Sequence, residues 1–424
     1  MRARMAGVLL LCVSLALAGC HRSSFDKPEM QGPAAMVESA GQSRLWLLSK
    51  QEEKRQVGVF GGGTRSTATW RTDTFFHFTV EAIDPVTTKT AWKQELASFG
   101  DPDAKGAAPS RVIGSAVSAQ MLGQDGDIVW LLIGDAPYGV SASDGHVLVE
   151  GPGIEAANPS LKGLLPSEAR HYGFDQGLVF MSADARQFVV RGPRHVASEY
   201  VPTPREQAVP VRIKPNGMPV IVPMRPPMGE VPARQAQLGG AWLGLYSPKE
   251  AEDLLDDDTG QGLQYPYSVV DEGSLARRSF LRARIVDGKR FDETFQRVAE
   301  LTPVPDGPVF LKGRFFKQPG TDDAVVLADP AGLLVWHSTR MDDAGRLALA
   351  RVDESLHTVW KAELPLSETD VVRHVASWQL PGYIVAVGEL RSQDDGGVHH
   401  SDPYLVSVDL KNGQVHSRNL DAKE

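Results

Sequence analysis

Between Leu45 and Glu424 the apolar residues come in short runs broken by Gly, Asp, Asn and Pro. Examples are Leu45–Leu48, Phe75–Ile83, Ile128–Ile133, Leu178–Phe180, Phe188–Val190, Val325–Leu327, Leu333–Trp336, Tyr383–Val387 and Tyr404–Val408. Most of them alternate or are apolar throughout, and they favour β-branched and aromatic side chains. Alternation at a period of two marks a strand with one buried face, and a continuous short run marks a strand buried on both. The pattern therefore predicts an all-β protein. Only two segments suggest helices. Ser247-Pro248-Lys249-Glu250 reads as an N-cap, a proline at the first helical position and an acidic first turn leading into Ala251–Leu255. Phe291–Leu301 reads as a second short helix.

The first twenty residues follow a different pattern. Arg2 and Arg4 precede an apolar run from Ala6 to Ala18, 13 residues long. That is too short to cross a bilayer as a helix, which needs about 20 residues, but suits the core of a signal peptide. The run ends in Leu17-Ala18-Gly19-Cys20. This resembles the lipobox of bacterial lipoproteins, and the resemblance implies that residues 1–19 are removed and that Cys20 is acylated. The position after the cysteine is His21 rather than the Asp associated with inner-membrane retention, so the resemblance points to the outer membrane, with the protein facing the periplasm. Cys12 and Cys20 are the only cysteines in 424 residues, so the mature chain is left with no disulfide and no thiol for a metal. Residues 20–44 are small and polar without a sustained period, and read as a flexible tether ahead of a domain spanning 45–424.

One unit recurs along the domain. Ala82-Ile83-Asp84-Pro85-Val86-Thr87-Thr88-Lys89-Thr90-Ala91-Trp92 aligns with Ser407-Val408-Asp409-Leu410-Lys411-Asn412-Gly413-Gln414-Val415-His416-Ser417. It also aligns, one residue shorter, with Arg351-Val352-Asp353-Glu354-Ser355-Leu356-His357-Thr358-Val359-Trp360, and with a weaker copy at Ala142–Leu148. Each copy is a strand ending in Asp, a tight turn and a second strand. The Asp side chain is suited to binding turn amides, a glycine to supplying positive φ, and the Trp to filling space between sheets. The first copy resembles the repeat of quinoprotein-type β-propellers, Ala-x-Asp-x-x-Thr-Gly-Lys-x-x-Trp, at every fixed position except Thr88, where Gly is expected. The resemblance implies a propeller of about seven or eight blades. In it Asp84, Trp92, Asp353, Trp360, Asp409 and Gly413 are structural positions of the repeat. Quinoprotein enzymes add pyrroloquinoline quinone, Ca²⁺, a catalytic Asp and an adjacent cysteine pair. The mature chain has no such pair, so the repeat is present without that equipment.

Composition and charge sharpen this picture. There are 41 glycines and 29 prolines, which favours turns. The prolines crowd into 199–232, too densely for a sheet interior, so 191–235 reads as an insertion. The insertion is locally basic, but the formal charge of the whole is −9, moving to −11 once Arg2 and Arg4 are removed. That excludes a general nucleic-acid binder, which needs a basic face. No Gly-x-Ser-x-Gly elbow, phosphate loop, His-Glu-x-x-His or Gly-x-Gly-x-x-Gly occurs. Gly61-Gly62-Gly63 reads as a turn. Asp256-Asp257-Asp258-Thr259-Gly260 has the flavour of a Ca²⁺ loop, but Tyr267 stands where the bidentate Glu belongs, so it reads as a solvated acidic turn. His399-His400-Ser401-Asp402 offers imidazoles and a carboxylate, yet neighbouring residues of an extended chain face opposite ways. The sequence thus leads to the expectation of no catalytic, metal or cofactor residues. It leads to a non-enzymatic lipoprotein whose propeller is a binding or scaffolding surface for an envelope partner. The alternative is a small-ligand binder or periplasmic enzyme with its site in the central channel.

Overall fold

The computed structural model describes residues 22–60, 68–100, 118–201, 212–213, 219–220, 235–256, 277–290, 293–317, 324–329, 331–342, 344–367, 376–393 and 399–421. The chain is mostly strand, in several antiparallel sheets, and divides into two compact units, the second made of Pro85–Thr88 and Arg205–Glu424.

In the first unit, β1 (Arg22–Phe25), β2 (Glu29–Met30) and β3 (Ala35–Ser39) all pair with β4 (Gln42–Phe60). β4 pairs in turn with β5 (Ala68–Ile83), and β5 with β6 (Thr90–Gly100). Two four-stranded meanders follow. They are β7 (Ala119–Asp125), β8 (Ile128–Ile133), β9 (Ala136–Ser141) and β10 (Val147–Glu150), then β11 (Tyr172–Phe174), β12 (Leu178–Met181), β13 (Gln187–Arg191) and β14 (Val196–Glu199). Helix α1 (Gly151–Ala157) joins them, with Ile154 fully buried.

The second unit contains β15 (Arg212–Ile213) and β16 (Pro219–Val220), a two-stranded pair. It continues with β17 (Gln235–Leu238), β18 (Ala241–Tyr246), helix α2 (Pro248–Leu255), β19 (Arg277–Arg290) and β20 (Glu293–Pro303). β21 (Val309–Phe315) links that sheet to β22 (Val326–Ala328), β23 (Ala331–Ser338), β24 (Arg346–Val352) and β25 (Thr358–Ser367). The last meander is β26 (Ala376–Leu380), β27 (Tyr383–Gln393), β28 (His399–Asp409) and β29 (Val415–Asn419). Among the described residues, six runs of four successive strands pair in chain order: β3–β6, β7–β10, β11–β14, β17–β20, β22–β25 and β26–β29.

The inner strands of these meanders explain the continuous apolar runs. In β8 all six residues are buried. Val129, Leu131 and Ile133 join Trp46, Leu48, Phe78 and Val80 in one core. Ile128, Trp130 and Leu132 join Tyr172, Leu178, Phe180 and Val190 in another. Each side of the strand thus meets a different neighbouring sheet, so alternation has nothing polar to alternate with. β23 repeats the device in the second unit: Leu334 and Trp336 enter one core, Leu333 and Val335 the other.

Three expectations change. The tether expected over 20–44 is, from Arg22 onward, three short strands along β4, with Ala34 and Val37 buried. Paired backbone, rather than side-chain period, holds them. The helix expected at Phe291–Leu301 is, from Glu293 onward, β20, hydrogen-bonded to β19 from Arg290↔Glu293 to Leu281↔Pro303. Cross-strand pairing overrides the local pattern there, as it commonly does. The insertion expected from residue 191 starts later, because β14 completes the third meander on β13. Most of its proline-rich part lies outside the described residues. The α2 helix is as read: the Ser247 hydroxyl accepts the Glu250 amide at 3.3 Å, and the Glu250 carboxylate accepts the Ser247 amide at 2.8 Å.

Candidate functional site

The repeat positions meet in the turns. Asp353 accepts the His357 amide at 2.9 Å, and Asp409 the Lys411 amide at 2.7 Å. In the weaker copy Asp144 accepts the His146 amide at 3.3 Å, and the Ser141 hydroxyl followed by that amide holds its carboxyl below the ordinary range. Asp84 closes its turn through its own amide on the Lys89 carbonyl at 2.8 Å, with its carboxylate 3.7 Å from Arg44. The carboxylates of Asp144, Asp353 and Asp409 are turn elements engaged with their own hairpins, whereas that of Asp84 faces Arg44 on β4. The position where the repeat wants glycine has positive φ in every copy: +59° at Thr88, +77° at Gly145, +66° at Leu356 and +74° at Gly413.

The tryptophans join one copy to the next. Trp92, half-buried, lies against Gly145 of the following copy, and a Cβ there would fall 2.4 Å from its ring. Trp360 lies in the same way against Gly413, where a Cβ would fall 2.8 Å from the indole. Its Nε1 donates to the Leu410 carbonyl at 3.1 Å, in the same turn. Trp92 also meets Trp46 edge-on, with ring centroids 5.1 Å apart. A glycine is required at both places twice over, for its φ and for the closeness of the ring. The sequence shows the Trp and the Gly but not that they touch, since they belong to different copies.

A second constellation was not visible in sequence. Glu53 of β4 is buried and forked by Arg55, Nε to Oε1 and Nη2 to Oε2 both at 2.7 Å. His77 of β5 reaches Glu53 through Nε2 at 3.0 Å and Glu95 of β6 through Nδ1 at 3.3 Å. The Arg55 guanidinium lies 4.2 Å from the Phe75 ring centroid. Three strands supply these groups, and the register shift between Phe78 and Thr79 brings Glu95 into line. Hydrogen bonds from Arg55 are the main reason the Glu53 carboxyl is held below its ordinary value; His77 adds to them and burial opposes them. A carboxyl lowered on folding stabilises fully above its unfolded value, near 4.3, and loses that contribution as pH falls through the folded one. Acidification to pH 3 is therefore expected to narrow the stability gap between the wild type and Glu53→Gln. Urea unfolding at pH 7 and pH 3 measures this, and an unchanged gap would remove the assignment.

The remaining candidates do not converge. Cys20 and Gly61-Gly62-Gly63 lie outside the described residues, as does the Asp257–Gly260 part of the acidic turn. His400 and Asp402 lie on β28 opposite Ser392 and Leu390. Among the described residues no group of three or more His, Cys, Asp or Glu side chains is placed to hold a metal. None of the described helices is long and apolar enough to cross a membrane. His337 is buried beside Phe310, with centroids 5.3 Å apart, and burial lowers its pKa.

Comparison with known proteins finds no family model that matches the chain and no curated protein that matches its sequence.

Proposed function

We propose that this protein is a lipid-anchored envelope protein whose sheets form a β-propeller, and that it works as a non-enzymatic binding or scaffolding surface. The observation that carries the reading is the seating of one repeat's Trp on the next repeat's Gly, at Trp92–Gly145 and again at Trp360–Gly413. A propeller is a radial array of four-stranded sheets, each packed on both faces. Meanders with inner strands buried on both faces, locked in sequence by a repeated contact, are what such an array requires. The carboxylates of Asp144, Asp353 and Asp409 are occupied in turns and that of Asp84 faces Arg44, which supports a scaffold over acid–base chemistry. The lipobox resemblance at Leu17–Cys20 supplies the anchor and the periplasmic face of the outer membrane.

The test is a fractionation with in-cell cross-linking. Wild-type protein is expected in the membrane fraction, with the mass of an acylated chain beginning at Cys20, cross-linked reproducibly to a defined envelope protein. Cys20→Ser is expected to be soluble and to lose that neighbour. An unacylated wild type, or a chain with no stable neighbour, would sink the proposal.

A further inference from the structure

The fold places the start of the described chain at one particular edge. β1 runs antiparallel to β4 with Arg22 opposite Gln56 and Phe25 opposite Glu53. Cys20 is two residues before that strand, a reach of at most about 7 Å. A flexible tether of 25 residues would instead wander about 25–30 Å. Beyond Gln56 the β4–β5 ladder continues with no third strand among the described residues, from Val57↔Arg71 to Phe60↔Ala68. Antiparallel pairing makes the chain leave β1 toward this end of the β4–β5 ladder. An acyl group carried by Cys20 would therefore belong to the same side of the unit as this end of the ladder.

That side suits a lipid surface. Phe25, five residues from Cys20, is 55% exposed on an outer strand. Exposed aromatic rings next to an anchor favour the headgroup boundary, where one side is apolar and the other wet. The eight ladder positions at this end are Val57, Gly58, Val59 and Phe60 opposite Arg71, Trp70, Thr69 and Ala68, with no carboxylate among them. Carboxylates closer to β1 have cationic neighbours: Asp26 and Glu52 face Lys54 at 2.6 and 3.4 Å, and Glu53 is forked by Arg55. The carboxylates named beside β1 are thus each ion-paired where the anchor leaves.

We propose that β1 and the Val57–Phe60 and Ala68–Arg71 end of the β4–β5 ladder lie against the bilayer, with Phe25 at the headgroup–acyl boundary. The proposal rests on acylation of Cys20. It fixes what the anchor alone leaves free, namely which edge of the first unit faces the lipid.

The chain has no cysteine besides Cys12 and Cys20, so an engineered one can be labelled alone. Full-length Phe25→Cys and Gln42→Cys are purified acylated, their mass and unfolding midpoint compared with wild type, and each is labelled with a polarity-sensitive fluorophore. Gln42 begins β4, about 45 Å along the strand from Gln56. Both are reconstituted in phosphatidylethanolamine–phosphatidylglycerol vesicles with a lipid spin label at a depth of about 5–10 Å. The label at position 25 is expected to shift to shorter wavelength and lose emission to the spin label, while the label at position 42 does neither. Acylated protein whose position-25 label stays in water overturns the proposal and leaves the anchor standing. Protein without acyl mass overturns both. Shielding of position 25 in cells but not in protein-free vesicles assigns the edge to a protein partner and also overturns it.

Discussion

Arg278→Met is expected to lower the stability of the second unit by about 3–5 kcal/mol, the cost of leaving one member of a buried ion pair alone. Arg278 is 1% exposed. Its guanidinium is forked on Glu250, Nε to Oε2 and Nη2 to Oε1 both at 2.9 Å, and Nη1 reaches the Gly313 carbonyl at 3.4 Å. Glu250 also accepts the Ser247 amide in the capping box of α2, so one carboxylate ties the helix start to β19. Removing the arginine leaves that carboxylate buried without its cation. The loss is a large part of the 5–15 kcal/mol that holds a domain folded. Arg278→Met with Glu250→Leu should recover most of it, because an apolar replacement of both partners is often neutral. The residual deficit is the lost cap, about 1 kcal/mol. Urea unfolding of the single and double variants measures this. A single-variant loss below about 1 kcal/mol, the range of an exposed pair, would show that the pair is hydrated.

How much of this was legible beforehand depended on how local each feature is. The run Ile128–Ile133 announces a strand buried on both faces, because its own six residues carry the signal. The α2 start is equally local, with Ser247, Pro248 and Glu250 adjacent in the chain. Residues 22–39 were not legible, because β1–β3 are too short to show a period and are strands by virtue of β4 beside them. β20 is a strand because β19 pairs with it, against its own weak helical pattern. The α1 helix was hidden by its two glycines, Gly151 and Gly153. The Glu53–His77–Glu95 network needs residues 24 and 18 positions apart to meet through strand register. Of the repeat, the Asp turn was readable within one copy. The docking of Trp on Gly was not, because it lies between copies.

The second large effect is at that docking. Gly145→Ala is expected to cost more than a backbone penalty alone. With φ at +77°, any side chain there loses about 1–2 kcal/mol. The added Cβ would also lie 2.4 Å from the Trp92 ring, and overpacking of this kind costs about 1–3 kcal/mol more. Gly413→Ala should behave alike against Trp360, its Cβ falling 2.8 Å from the ring. Gly41→Ala is the control, since its φ of +75° is the same but nothing lies within 4 Å. Thermal or urea unfolding should therefore rank Gly145→Ala and Gly413→Ala well below Gly41→Ala.

The propeller reading turns on whether Trp92 and Gly145 act as one unit, and a double-mutant cycle measures that directly. Gly145→Ala is introduced into the wild type and into Trp92→Ala, and the two stability losses are compared. If consecutive repeats are locked by this contact, the loss in the Trp92→Ala background falls to that of Gly41→Ala. An equal loss in both backgrounds would mean that the ring does not sit on the glycine, and would contradict the docked-repeat architecture.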